Sequence, residues 1–266
     1  MPTDTHRFPA TAPIHLHLRS GRGTVLVLAG DGDETVVEVT GRHEGELARV
    51  SASDDGRRVT VDVPRHRRFG NAPRLDITVH LRTGSTLDLG TASAGITVRG
   101  AVAQAEVRSA SGAVSVEQVS GDAHVKTASG DVELGTVDGA ATVKSASGDL
   151  RIATCRGRCG ATTASGAVDI GWAGSAVSAG SASGDVTVRD VSAGSVSLKS
   201  TSGDVIVGVR PGTLVWLDLT TVSGRTTSNL SPDQPTGDAG EVLRLDVKTV
   251  SGDITVSPSA AGSAAA

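Results

Sequence analysis

Ser-Gly pairs recur along this chain at a fixed step. They end at Gly112, Gly130, Gly148, Gly166 and Gly184, 18 residues apart each time, then at Gly203 after 19. Gly95 stands 17 before the first of them. A second series, Gly121, Gly139 and Gly157, falls midway between, so the underlying half-unit is nine residues. A fixed short period is the sequence mark of a repeat architecture, in which each unit buries its apolar face only by stacking on its neighbours.

Reading the columns of the half-unit gives the direction of each side chain. Two residues after the glycine come Val114, Ala123, Val132, Ala141, Leu150, Cys159, Val168, Val186 and Val205. Four after it come Val116, Val125, Leu134, Val143, Ile152, Ala161, Ile170, Val188 and Val207. Two before it come Ala110, Val119, Ala128, Val137, Ala146, Cys155, Ala164 and Ala182. Intervening positions are mostly polar, and this alternation predicts strands of about five residues with one buried face. Glycine is expected at the turns because a larger residue would be strained there.

A strand every nine residues leaves no room for a crossover helix, and no Asn-Gly or Asp-Gly pair is spaced to make hairpins. The predicted fold is therefore all-β: a parallel β-solenoid of about 18 residues per coil, with two short strands per coil and an N-terminal β-rich cap. Composition fits a core too thin for rings. The aromatic residues are Phe8, Phe69, Trp172 and Trp216, without a tyrosine, while glycine numbers 34 of 266 residues. Few rings also argue against stacking platforms for sugars or single-stranded nucleic acid.

The expected organisation is a flexible N-terminus over 1–13, a β cap over 14–90, the solenoid over 91–257 and a disordered tail over 258–266. Strand-like runs in the cap include Ile14–Leu18, Thr24–Leu28, Thr35–Val39, Val59–Val63 and Leu75–Val79. A cap is expected because an open sheet edge invites aggregation. Pro232 and Pro235 mark a loop.

The Ala-Ser-Gly-Asp-Val pattern, at Ala128–Val132, Ala146–Leu150, Ala182–Val186 and Thr201–Val205, resembles the bacterial "putative-adhesin" domain of unknown function, a β-strand repeat-containing family. Val215–Leu219 and Val250–Val256 resemble members of actinobacterial type. The resemblance runs from about Ile14 to Val256. It implies a β-repeat fold and transfers no catalytic or binding residue.

The net charge is −4, with both signs interspersed, which gives no field for nucleic acid or anionic lipid. The N-terminal residues lack the apolar run of a signal peptide, and no membrane span is expected. With two cysteines, this suggests a reducing, cytoplasmic setting.

Asp122, Asp131, Asp149, Asp185 and Asp204 follow the corner glycines. A calcium roll needs several oxygens converging in each turn. Here each turn has one glycine, and Ala113, Ala140 and Ala167 interrupt the column, so turn hydrogen bonds are the expected role. Cys155 and Cys159 fall on inward columns and are expected to be buried free thiols. His15 and His17 share a strand face without a third ligand nearby. Trp172 and Trp216 are expected to plug a widening or cap a coil end. The basic run Arg65-His66-Arg67-Arg68 reads as an exposed loop.

No insertion longer than two residues interrupts 95–210, so there are no loops from which to build a catalytic cleft. The expectation is a non-enzymatic scaffold or protein-interaction module with no catalytic residue, metal or cofactor. Its interaction face is expected at Asp131, Asp149, Asp185, Asp204, Lys126 and Lys144, and its partner is an unidentified protein. An exported cell-surface adhesin and a self-assembling structural protein are the alternatives.

Overall fold

The structure is a computed structural model and describes residues 1–47, 51–63, 73–230 and 242–260. The basic run at 65–68, the prolines Pro232 and Pro235 and the last six residues lie outside the described residues. The chain divides into two compact units, Met1–Gly135 and Thr136–Ala266.

The first unit carries β1 (Thr3–Pro9), β2 (His15–Ser20), β3 (Arg22–Gly30) and β4 (Glu34–Thr40), then a single helical turn, α1 (Glu44–Leu47). It continues with β5 (Ser51–Asp54), β6 (Arg58–Asp62), β7 (Arg74–Arg82), β8 (Thr86–Thr91), β9 (Gly95–Val102), β10 (Gln104–Arg108), β11 (Val114–Val119) and β12 (Ala123–Lys126). The strand β13 (Val132–Val137) spans the division. The remaining strands of the second unit are β14 (Ala141–Lys144), β15 (Leu150–Cys155), β16 (Cys159–Thr162), β17 (Val168–Ala173), β18 (Val177–Ser181), β19 (Val186–Val191) and β20 (Ser195–Ser200). They are followed by β21 (Val205–Val209), β22 (Val215–Thr221), β23 (Thr226–Ser228), β24 (Leu243–Thr249) and β25 (Ile254–Pro258).

In the second unit the strands form two parallel ladders, ordered β15-β17-β19-β21-β25-β23 and β14-β16-β18-β20-β24-β22. Register follows the repeat: Val168 pairs with Val186, and Cys159 with Val177. The inward rows Leu150/Ile152, Val168/Ile170 and Val186/Val188 are at most 1% exposed. These aliphatic columns are the core, and the parallel β-solenoid predicted from the repeat is the fold.

In the first unit the orders are β1-β4-β7-β3-β9-β11 and β5-β6-β2-β8-β10-β12. Part of the stretch expected to form a separate cap is itself coiled. β2 pairs in parallel with β8, and β3 with β9, in continuation of the repeats. Among the described residues the antiparallel pairs are β1 with β4, β4 with β7 and β5 with β6. Residues 3–9, expected to be flexible, are the strand β1, tied to β4 over seven residue pairs. At the other end, the expected disordered tail begins too early. Pro258 pairs with Val209, and buried Ser259 donates from Oγ to Asp190 Oδ1 at 3.0 Å.

Two details of the repeat differ from the sequence reading. Ala110, Ala128, Ala146, Ala164 and Ala182 are exposed rather than inward. At each Ser-Gly corner the chain turns one residue earlier, and the hydroxyl three before the glycine takes the inward place. The corner glycines also do not adopt positive φ, which is confined to Gly23, Gly56, Gly84, Gly100, Gly194 and Gly212. Their need is for close approach. A Cβ on Gly184 would lie 2.1 Å from the Gly166 carbonyl oxygen, and one on Gly130 would lie 2.1 Å from that of Gly112. The residue beneath Gly112 is Ala94, not Gly95, so that step is also 18 residues.

Candidate functional site

Asp149, Asp185 and Asp204, three of the aspartates expected to face a partner, are exposed and also bond to the fold itself. Asp149 Oδ1 accepts from the Ala167 backbone N–H at 2.8 Å, and Asp185 Oδ1 from that of Asp204 at 2.9 Å. Asp204 Oδ1 in turn accepts from the Asp253 N–H, and Asp253 Oδ1 from the Arg225 N–H, both at 2.8 Å. Each carboxylate therefore ties its corner to the next coil, and alanine at 167 ends a tie without needing one of its own. Asp131 occupies the same corner position in the first unit, where its carbonyl accepts from Val114 N–H at 2.9 Å. Lys126 and Lys144 end β12 and β14 and are exposed on the outer strand rows. In the second unit Asp185, Asp204 and Asp253 thus form one chain of coil-to-coil ties.

Sequence reading missed the hydroxyl column beside that ladder. Thr127 Oγ1, Ser145 Oγ and Thr163 Oγ1 accept from the N–H groups of Gly130, Gly148 and Gly166 at 3.0, 2.8 and 3.3 Å. Thr163, Ser181, Ser200 and Thr249 also donate to glycine carbonyls of the preceding coil at 2.8–3.3 Å. Buried polar groups need such partners. The signal was available: Ser or Thr recurs at 109, 127, 145, 163, 181 and 200, on the same period as the glycines.

The first unit holds a charged cluster on the outer face of β2, β8, β10 and β12. His17 Nδ1 lies 2.8 Å from Asp88 Oδ2, and Arg19 donates to both Asp88 oxygens at 2.9 and 3.0 Å. Gly90 makes this fork possible, since a Cβ there would meet Arg19 Cδ at 2.8 Å. Partial burial pushes the Asp88 carboxyl up, but the Arg19 and His17 hydrogen bonds outweigh it and hold it below the usual carboxylate value. Beside it is a cavity of about 220 Å³ lined by His15, Gln104, Glu106 and His124, among others. Arg108 takes the Glu106 carboxylate. The acids facing this hollow are thus engaged internally, and among the described residues no three His, Cys, Asp or Glu side chains are grouped to hold a metal ion. A larger hollow of about 520 Å³ lies among Pro9–His15, Gly56, Arg57, Gly84 and Thr86.

On the second unit, Asp169 receives Arg189 at 2.8 and 2.6 Å, with Arg151 at 3.8 Å. The Arg189 hydrogen bonds hold the Asp169 carboxyl below its usual value. Cys155 and Cys159 are buried free thiols. Contact with Cys155, added to by burial, pushes the Cys159 thiol far up. Trp172 does not plug the interior. It sits half-buried between Thr154 and Asp190 in register, with its ring against Gly174.

Trp216 lies on β22, the outermost strand of its ladder, with the Arg244 guanidinium 4.4 Å from its ring centre. Leu214, Trp216 and Val222 are exposed, and the inward row Val215, Leu217, Leu219 is only half-buried. This edge is apolar, and among the described residues no strand pairs with its far side. The outermost strands of the first unit differ. β1 carries Asp4, His6 and Arg7, and β5 is four residues long, both of which discourage strand addition.

Residues 23–179 match the family described as Toastrack DUF4097. No curated protein sequence matches the chain. Among solved structures, it is similar to a "putative adhesin" of Bacteroides fragilis at 13% identity and TM-score 0.52, with 96% of this chain and 97% of that chain covered. It is also similar to a "putative lipid binding protein" of Parabacteroides distasonis at 13% identity and TM-score 0.57, covering 96% of each. At these identities the likeness is one of fold.

Proposed function

The chain belongs to the Toastrack DUF4097 family, and on that premise we propose that it is a non-enzymatic β-solenoid module that binds a protein partner by strand addition at β22. The supporting observation is the contrast between this edge and every other coil of the second unit. Inward residues of β15, β17 and β19 are sealed, whereas Val215, Leu217 and Leu219 remain half-buried beside exposed Leu214, Trp216 and Val222. An extended segment supplies what such an edge lacks: main-chain donors and acceptors in a row, with apolar side chains at alternate positions. Trp216, held by Arg244, is the natural anchor, since aromatic residues dominate interface energetics. The flat faces, whose carboxylates already serve the fold, have less to offer. A photocrosslinking residue placed at 216 and, separately, at 144 tests this in living cells. The expected result is one discrete protein adduct from 216 and none from 144. No adduct at 216, or equal adducts at both, would count against the edge.

Export to the cell surface is a second reading, favoured by the adhesin description of the Bacteroides fragilis neighbour. Fractionation of a tagged protein separates the two: a wall-bound pool supports export, and a wholly soluble pool supports the cytoplasmic setting. Self-assembly through the same edge predicts a mass that rises with concentration in light scattering.

A further inference from the structure

Cys155 and Cys159 stand on either side of one corner, with Gly157 at its apex. Both point into the core, one from β15 and one from β16, so the pair bridges the two ladders of the second unit. In the adjoining coils the same two places hold Val137 with Ala141 and Ala173 with Val177. This coil alone has a thiol in each place. The two thiols lie against each other, and Cys155 Sγ is also 3.4 Å from the Gly157 carbonyl oxygen. The three residues between them lie near the surface: Arg156 and Arg158 are exposed and Gly157 is half-buried. Beside this corner Arg156 binds the Asp138 carboxylate, and Arg158 is exposed next to Cys159.

We propose that Cys155 and Cys159 are a paired oxidation site that a small-molecule disulfide converts to an internal cystine across the Gly157 corner. One cysteine thiolate attacks a sulphur of the small disulfide, forming a mixed disulfide and expelling one small thiolate. The second cysteine thiolate then attacks the protein sulphur of that bond and expels the other. One S–S bond breaks and one forms, and the two cysteine protons end on the two released thiols. Two electrons pass from the protein to the co-reactant. The cystine joins the two ladders covalently in this coil and replaces a thiol contact in the core with a bond.

The test uses the full chain, reduced, freed of reductant and incubated with glutathione disulfide, then alkylated in denaturant and weighed intact. The expected product is a monomer lighter by two hydrogens, with no alkylated cysteine and no glutathione adduct. Cys155→Ser and Cys159→Ser are treated in parallel, and each is expected to stop at a single mixed disulfide. A wild-type chain that keeps two alkylatable thiols overturns the proposal. So does one that ends as glutathione adducts or as a disulfide-linked dimer.

Discussion

Replacing Gly184 with alanine adds one methyl group where two coils of the second unit approach closely. The new Cβ would sit 2.1 Å from the Gly166 carbonyl oxygen, about 0.9 Å inside the 3.0 Å floor for such contacts. The obstacle is backbone on both sides, so a rotamer change gives no relief. Moving the two coils apart by that amount stretches the Ser183 N–H to Ala164 O bond from 2.9 Å to about 3.8 Å, beyond hydrogen-bond range. Losing one or two ladder bonds at about 1 kcal/mol each, with overpacking strain of about 1–3 kcal/mol, gives a destabilisation of about 3 kcal/mol. For a urea slope of about 2 kcal/mol/M the midpoint falls by about 1.5 M. Gly160→Ala is the matched control. It lies on the outer row of β16, where the nearest atom to a new Cβ is Ala141 O at 3.6 Å, and its effect stays within about 0.5 kcal/mol. Urea unfolding followed by circular dichroism measures both. Midpoints for the two variants within about 0.3 M of each other would refute the close-approach argument.

Other perturbations follow from the same geometry. Thr163→Ala removes the acceptor of the Gly166 N–H in a buried setting and is expected to cost about 1–2 kcal/mol, while Thr163→Ser restores most of it in the same unfolding assay. Asp185→Ala removes an exposed acceptor from the Asp204 N–H and costs about 0.5–1 kcal/mol; Asp185→Asn keeps an oxygen there, and an equal loss in both variants would argue that charge matters more than the bond. Asp88 and Asp169 both have carboxyls held below 3.8, so their contribution is present above that value and disappears as pH falls through the lower folded values. Stability measured from pH 7 to pH 2 should therefore drop more steeply below about pH 4 in the wild type than in Arg189→Gln, where Asp169 loses its main partner. Parallel curves would exclude Asp169 as a source of that slope.

The fold was legible because its period is short and its interior has one chemistry. Val168 over Val186 and Ile170 over Val188 follow from counting 18 residues. What counting could not supply was the path of the chain at the ends. β2 and β3 join the ladders through a Ser20-Gly21 corner that stands outside the 18-residue count, its Gly21 carbonyl accepting from Ser93 N–H at 2.8 Å. Nor could it show that β24 and β25 lie inside β22 and β23, a reversal of chain order at the close of the ladders. At the corners, alternation misassigned Ala146 and Ala164, since a period of two cannot see where the chain bends. The structural role of the corner aspartates was hidden for a related reason. A periodic aspartate reads equally well as display or as scaffolding, and only the donor it meets, the N–H of the next coil, decides between them. The apolar edge at β22 gave no signal at all, because Val215-Trp216-Leu217 resembles any buried strand until its neighbours are placed.

The 19-residue step between Gly184 and Gly203 shows how such a chain tolerates change in length. Ala173 pairs with Val191 at an offset of 18, but Val177 pairs with Val196 at 19, so the added residue sits in the corner between β19 and β20. There Gly194 takes φ +87°, and both flanking strands keep their inward rows. A corner with glycine accepts a single residue here, and inside strands a bulge does the same: β11 shifts by one residue against β9 between Val116 and Gln118, and β19 against β21 between Val188 and Val191. Insertions and deletions should therefore be survivable as one residue at a corner or bulge, or as about 18 anywhere along the ladder. A one-residue change inside a strand with no bulge to absorb it turns the aliphatic row beyond it outward and is the size that selection would remove.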